Sequence, residues 1–211
     1  MKNLYNILKS SDNPLETARQ LVAPICKDKL NNHILNCNEC DFMHSGKNVC
    51  HGNPDANILI IAGNATDSQE EQEYLESIID NSSINKNDIF IIHSVNCICT
   101  RKSSNDIISR DPTLTEVNNC SYFIKYAIQF IRPRIIISMG ATALNQFFPQ
   151  YKFLDYIGKT LYYDGIKTII TYSVNDLFIL NERMDPSKVE ELVYQTIESF
   201  NEAQNYMNII K

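Results

Sequence analysis

The chain of 211 residues is long enough for one sizeable domain with one core and too short for two ordinary ones. With 44% hydrophobic and 21% charged residues it belongs with folded globular chains rather than disordered ones. A formal net charge of −6 excludes a protein that coats nucleic acid through bulk positive charge, while leaving room for a local basic patch. No apolar run approaches the ~20 residues of a transmembrane helix, and Met1–Ser10 lacks a signal-peptide pattern. An intracellular, cytoplasmic protein with no membrane partner is therefore expected. Seven cysteines without an export signal read as reduced thiols or metal ligands rather than disulfides.

In chain order, Asn13-Pro14-Leu15-Glu16 opens a helix: a cap, a proline at the first helical position and a capping-box Glu, running to about Ile25. Short Ile-rich apolar runs follow at Ile58–Ala62, Ile89–Val95, Ile135–Met139 and Thr168–Tyr172. Each suits a strand buried on both faces of a parallel sheet. Between them lie helical patterns. Leu75–Ile79 is helical, with Gln69–Tyr74 leading directly into it. Val117, Cys120, Ile124, Ala127, Ile128 and Ile131 fall at three- and four-residue steps. Asp185-Pro186 starts another helix, with Val189, Leu192, Val193, Ile197 and Phe200 as its stripe. Alternating strands and helices predict a three-layer α/β/α fold around a mainly parallel four-stranded sheet. Ligands bind such sheets beyond the carboxyl ends of the strands, which directs attention to the turns after Ala62, Val95, Met139 and Tyr172. Residues 1–30 are expected to form a helical segment ahead of a single domain over 31–211.

Cys37-Asn38-Glu39-Cys40 is a C-x-x-C pair, a spacing that lets two thiolates grip one metal centre from a single turn. Cys97 and Cys120 come much later. A thioredoxin-type redox pair is expected where a helix opens after a strand, whereas this pair follows a polar, Asn-rich stretch. Soft thiolate ligation suits zinc or a four-iron cluster, and spacing does not separate the two. Cys26 and Cys50 read as small buried hydrophobes.

From Cys37 onward the chain resembles the iron–sulfur uracil-DNA glycosylases of the family 4 and 5 type. His51-Gly52-Asn53-Pro54-Asp55-Ala56 is similar to the family's Gly-Asn-Pro-x-Ala segment before its first strand. Ile89–Cys97 looks like the strand ending on the third cysteine, and Pro112–Glu116 followed by Cys120 like the helix start carrying the fourth. Arg132–Ala143 is similar to the family's strand-turn-helix. The resemblance covers roughly residues 30 to 200. It implies a uracil-DNA-glycosylase-like domain with a structural [4Fe–4S] cluster on Cys37, Cys40, Cys97 and Cys120, with Cys99 as a competing third ligand and zinc as the lesser alternative. It also implies DNA as partner, single-stranded or uracil-containing DNA among the candidates. The loop between the last two ligands would then offer Arg101, Lys102 and Arg110 to DNA, or be an ordinary solvated loop.

The chemistry departs from that pattern. The family's first motif reads Gly-Glu-Ala-Pro-Gly or a close variant; here the run is Gly63-Asn64-Ala65-Thr66-Asp67. An amide holds water by hydrogen bonds but cannot act as a general base. The mismatch-specific branch uses Asn at this place but keeps the following Pro-Gly. The stretch that would carry the uracil-stacking Phe is shortened, leaving Tyr74 as a substitute platform or a core residue. The base-reading Asn position aligns with His93, which can donate or accept. The last motif, His-Pro-x-x-Leu-Leu-Arg in the family, begins here at Ser173, and Phe178, Ile179 and Leu180 stand where a loop would invade the base stack. Asn64 and Ser173 thus hold degenerate catalytic positions. Loss of one such group costs ~10²–10³ in rate. The expectation is a divergent member, weak or inactive as a glycosylase, that binds nucleic acid or a replication or repair partner. The alternatives are an active glycosylase that uses Asn64 to place water and His93 to read the base, or a purely protein-binding module.

Overall fold

The computed structural model describes residues 7, 10–40, 44–104 and 106–210. Its main sheet has six strands, in the order β2 (His51–Gly52), β4 (Ile89–Val95), β3 (Ile58–Asn64), β7 (Ile135–Met139), β9 (Ile166–Thr171) and β8 (Thr160–Tyr163). The four middle strands are parallel and match the predicted runs. The two short outer strands are antiparallel additions that the apolar pattern did not predict.

Burial on both faces explains the unbroken Ile-rich runs, and the pleat sorts them. Leu59, Ile61, Phe90, Ile92 and Ile136 face one core layer. Ile58, Ile60, Ile89, Ile91, Ile135 and Ile137 face the other. The first layer is covered by α1 (Pro14–Asn36), α3 (Leu114–Ile131) and α4 (Gly140–Phe147). The second is covered by α2 (Gln69–Asp80), α5 (Val174–Asn181) and α6 (Pro186–Ile209). The three-layer α/β/α arrangement is therefore as predicted. No helix among the described residues is long and apolar enough to cross a membrane.

Helix α1 runs eleven residues beyond its predicted end near Ile25, passing through Pro24. Tertiary packing outweighs the proline: Ala23, Leu30 and Ile34 are buried, and the helix lies on α3. Polar contacts also pin it. The Arg19 Nη2 donates to the Ile131 carbonyl at 2.6 Å, and its Nε lies 3.0 Å from Asp55 Oδ1. Asn31 bonds both the carbonyl and the amide of Cys50 at 3.0 Å. The expected division at residue 30 falls inside this helix.

A second, antiparallel sheet lies outside the parallel one: β1 (His44–Lys47), β5 (Cys97–Ser103) and β6 (Asp106–Ser109). It occupies the stretch leading up to and separating the last cysteines. Strand β5 pairs Lys47 with Cys97 on one side and Arg101 with Ile108 on the other.

Candidate functional site

Two regions bring together the residues singled out by sequence: a cysteine corner and a cavity at the carboxyl ends of the parallel strands.

Helix α1 ends at the corner. Its C-cap is Cys37, whose amide bonds the Ile34 carbonyl. Lys47 donates to the carbonyls of Leu35, at 3.1 Å, and of Cys37, placing a cation at the negative end of the helix. The Cys37–Cys40 turn is thereby held against β5 and α3. Burial raises the Cys97 thiol, Lys47 opposes this, and Cys37 and Cys40 add to the rise. Burial likewise pushes Cys120 up to about 12, countered by the Asn96 amide on its sulfur and reinforced by Cys97, Cys40 and Cys37. The four sulfurs thus share one electrostatic neighbourhood. Asn119 Nδ2 reaches Cys40 Sγ at 3.4 Å, so two N–H groups serve sulfur atoms here.

No group of three or more His, Cys, Asp or Glu among the described residues is gathered as a single-ion site. A zinc tetrahedron with bonds of ~2.3 Å requires its sulfurs within ~4 Å of one another. A cube of four irons places its ligands on separate metal atoms, farther apart. Four thiols, with N–H donors on two of the sulfurs, are a donor set that either group could use.

Cys99 faces elsewhere. Its Sγ lies 3.5 Å from Glu116 Oε1, and burial followed by that carboxylate pushes it up to about 12. Arg110 grips the same Glu116 with two bonds of 2.8 and 2.7 Å, and its Nε donates to the Thr100 carbonyl at 3.1 Å. Glu116 also closes the capping box of α3 with Thr113. Burial acts to raise the Glu116 carboxyl, but the bonds from Arg110 and Thr113 prevail and hold it at about 2. The guanidinium expected to meet DNA is therefore engaged inside the protein. Arg101 and Lys102 are exposed on β5, across from Ile108 and Ile107.

The second region is a cavity of about 710 Å³, within the range of small-molecule sites. Asn64 and Ser173 line it from the ends of β3 and β9, His93 from β4, and α2 forms one wall. Close packing assembles the strand-end turns. A Cβ on Gly63 or on Gly140 would come within 2.9 Å of Ser173 Cβ, and Gly140 has φ +83. Only glycine permits both the approach and that backbone.

Ser173 is the N-cap of α5. Its hydroxyl donates to Asp176 Oδ2 at 2.7 Å and accepts from the Asp176 amide at 3.1 Å. Its one proton is thus used in the capping box. Asn64 lines both this cavity and a smaller one of about 270 Å³, and its buried Oδ1 has no partner. His93 is 9% exposed and its Nδ1 is unpartnered. Burial, then the neighbouring His51, lowers its pKa to about 4, against bonding to the Asn64 and Gly63 backbone. The imidazole is neutral at physiological pH.

Tyr74 packs edge-on against Phe178, with centroids 5.3 Å apart. Phe178, Ile179 and Leu180 lie within helix α5 rather than in a loop. Sequence reasoning missed five residues that line the cavity: Asn48 between β1 and β2, His51 on β2, and Glu71, Glu73 and Glu76 on α2. Only Glu73, Glu76 and Asp80, at steps of three and four, offered a signal, and such spacing ordinarily marks a solvated face.

A β-α sheet with its cavity at the carboxyl strand ends, flanked by a cysteine corner, defines the class to which comparison assigns the chain. Residues 49–195 match the uracil DNA glycosylase superfamily, and the chain belongs to that superfamily. It is similar to the type-4 uracil-DNA glycosylase of Thermotoga maritima, 28% identical over 126 residues. That match takes in 54% of this chain and 62% of the relative's length.

Proposed function

We propose that this protein is a DNA-binding member of the superfamily, built on a [4Fe–4S] cluster held by Cys37, Cys40, Cys97 and Cys120, in which uracil excision is weak or lost. The observation that carries this reading is a disparity. At the corner, four thiols share one neighbourhood and N–H donors serve two of them. At the strand ends, the resemblance puts the Asn64 amide where the family carries its general base, and the Ser173 hydroxyl is used in a helix cap. The turn of Cys99 toward Glu116 supports Cys97 as the third ligand. The cluster would tie the end of α1 to β5 and α3, holding the basic β5–β6 hairpin in place, and would take no part in bond cleavage.

Similarity to a uracil-DNA glycosylase points to DNA as the ligand, and exposed Arg101 and Lys102 supply a local contact despite the acidic chain. The test is direct. Protein prepared without oxygen should be brown and should bind single-stranded or duplex DNA at low salt, more weakly as salt rises. Colourless protein with stoichiometric zinc would remove the cluster. Failure to bind DNA at low salt would point instead to a protein partner from replication or repair.

A second reading has its own support. Asn64 Oδ1 and His93 Nδ1 are buried, unpartnered and at the cavity. In an active glycosylase with altered base choice, the first would hold the water and the second would contact the base.

A further inference from the structure

The cavity is poor in positive charge and rich in acceptors. Four carboxylates line it, those of Glu71, Glu73, Glu76 and Asp80, while Lys47 is the lysine on its wall. Lys86 is shared between Glu76 and Asp80, leaving the carboxylates in excess. His93, nine-tenths buried with an unpartnered Nδ1, lines the same space. The side chains of Asn48 and Asn64 line it too, each with a buried, unpartnered amide oxygen. An amide can turn either end toward a ligand, and a negative field favours positive and hydrogen-donating groups opposite these acceptors. A leaving uracil is the opposite case: it departs as an anion and needs donors or a cation to receive it.

We propose that this cavity takes a nucleotide whose base is positively charged, an N-alkylated purine above all, and that the chain hydrolyses its glycosidic bond. The proposal rests on the reading above of a DNA-binding family member with uracil excision lost. In the reaction, water held by Asn64 adds its oxygen to C1′ and the bond from C1′ to the ring nitrogen breaks. The bonding pair goes to the nitrogen and cancels the positive charge of the base. The water proton passes to the half-buried Glu71, and the products are a neutral base and an abasic site. No anion forms on the base, so a histidine at position 173 is not required, and a neutral His93 is no handicap. Burial raises the Glu71 carboxyl, which suits a proton acceptor.

The test uses the full chain with its metal centre intact and two DNA substrates: duplex treated with a methylating agent, carrying 7-methylguanine and 3-methyladenine, and a uracil-containing oligonucleotide. Released bases are measured by chromatography and DNA binding by fluorescence anisotropy. The proposal expects methylpurine release at least about tenfold above the protein-free rate, with uracil release below that; Glu71→Gln and the exposed Glu73→Gln should each lower it, their combination by about tenfold, with DNA binding retained. Release of uracil but not methylpurines overturns the proposal. So does release of neither by protein that binds the DNA, which leaves the family-level reading standing. Protein that neither binds nor releases anything overturns both.

Discussion

The cysteine corner and the strand-end cavity lie on one scaffold but differ in how their polar groups are satisfied. At the corner, Lys47 caps the end of α1, Asn119 and the Asn96 backbone amide serve sulfurs, and Glu116 is held by Arg110 and Thr113, while the Asn96 side chain and the Thr100 hydroxyl are buried without partners in closed packing. At the cavity, Asn48, Asn64 and His93 carry unpartnered atoms, and Ser173 has turned its proton inward. Buried polar atoms without partners are costly, and those of Asn48, Asn64 and His93 border a space in which a ligand could satisfy them. The proposal gives the corner the role of stability and the cavity that of binding. Variants separate the two roles.

The largest effect is expected from Cys120→Ser, which should bleach the protein and lower its melting temperature sharply, because ligand binding and folding are linked. A brown, stable variant would break the ligand assignment. Next, Arg110→Ala strands the buried Glu116 carboxylate and should cost about 3–5 kcal/mol in denaturant unfolding. DNA binding per folded molecule should barely change, whereas a large loss of affinity would return Arg110 to the DNA-contact role expected from sequence.

A third expectation concerns pH. His93 is held below its ordinary 6.5, at about 4, chiefly by burial, so the unfolded chain binds a proton that the folded chain refuses between those values. Its contribution is complete above about pH 6.5 and is lost as pH falls toward about 4. His93→Gln should flatten that limb of the stability curve; an unchanged slope would mean that the imidazole is solvated. The smallest effect is that of Ser173→Ala, about 1 kcal/mol for the lost cap. Base release of any kind should survive it, since the hydroxyl is used structurally.

Much of the scaffold could be read from sequence because burial on two faces leaves an unbroken apolar run. Ile58–Ala62, Ile89–Val95 and Ile135–Met139 all lie within strands. The four-residue strands His44–Lys47 and Asp106–Ser109 were too short to leave such a trace, and the first pairs with β5 far away in sequence. The second half of α1 was hidden by Pro24 and by an Asn-rich end whose apolar positions, Leu30 and Ile34, show their purpose only against α3. The same limit applies to the sites. Asn64, His93 and Ser173 were found because motif order placed them at strand ends, where they line one cavity. The α2 carboxylates were missed because a wall of a cavity and a solvated helix face have the same periodicity. The ion pair of Arg110 was not legible because its partner, Glu116, is six residues away across a turn.

The measurement that bears most directly on the central claim is uracil release from single-stranded uracil DNA by brown, DNA-binding protein. A scaffold retained without its uracil chemistry predicts release lower by at least ~10² than an intact anion-stabilising site would give, and insensitive to Asn64→Ala. Rapid release abolished by Asn64→Ala would show that the amide and the neutral imidazole suffice for uracil, and the account of a lost activity would be wrong.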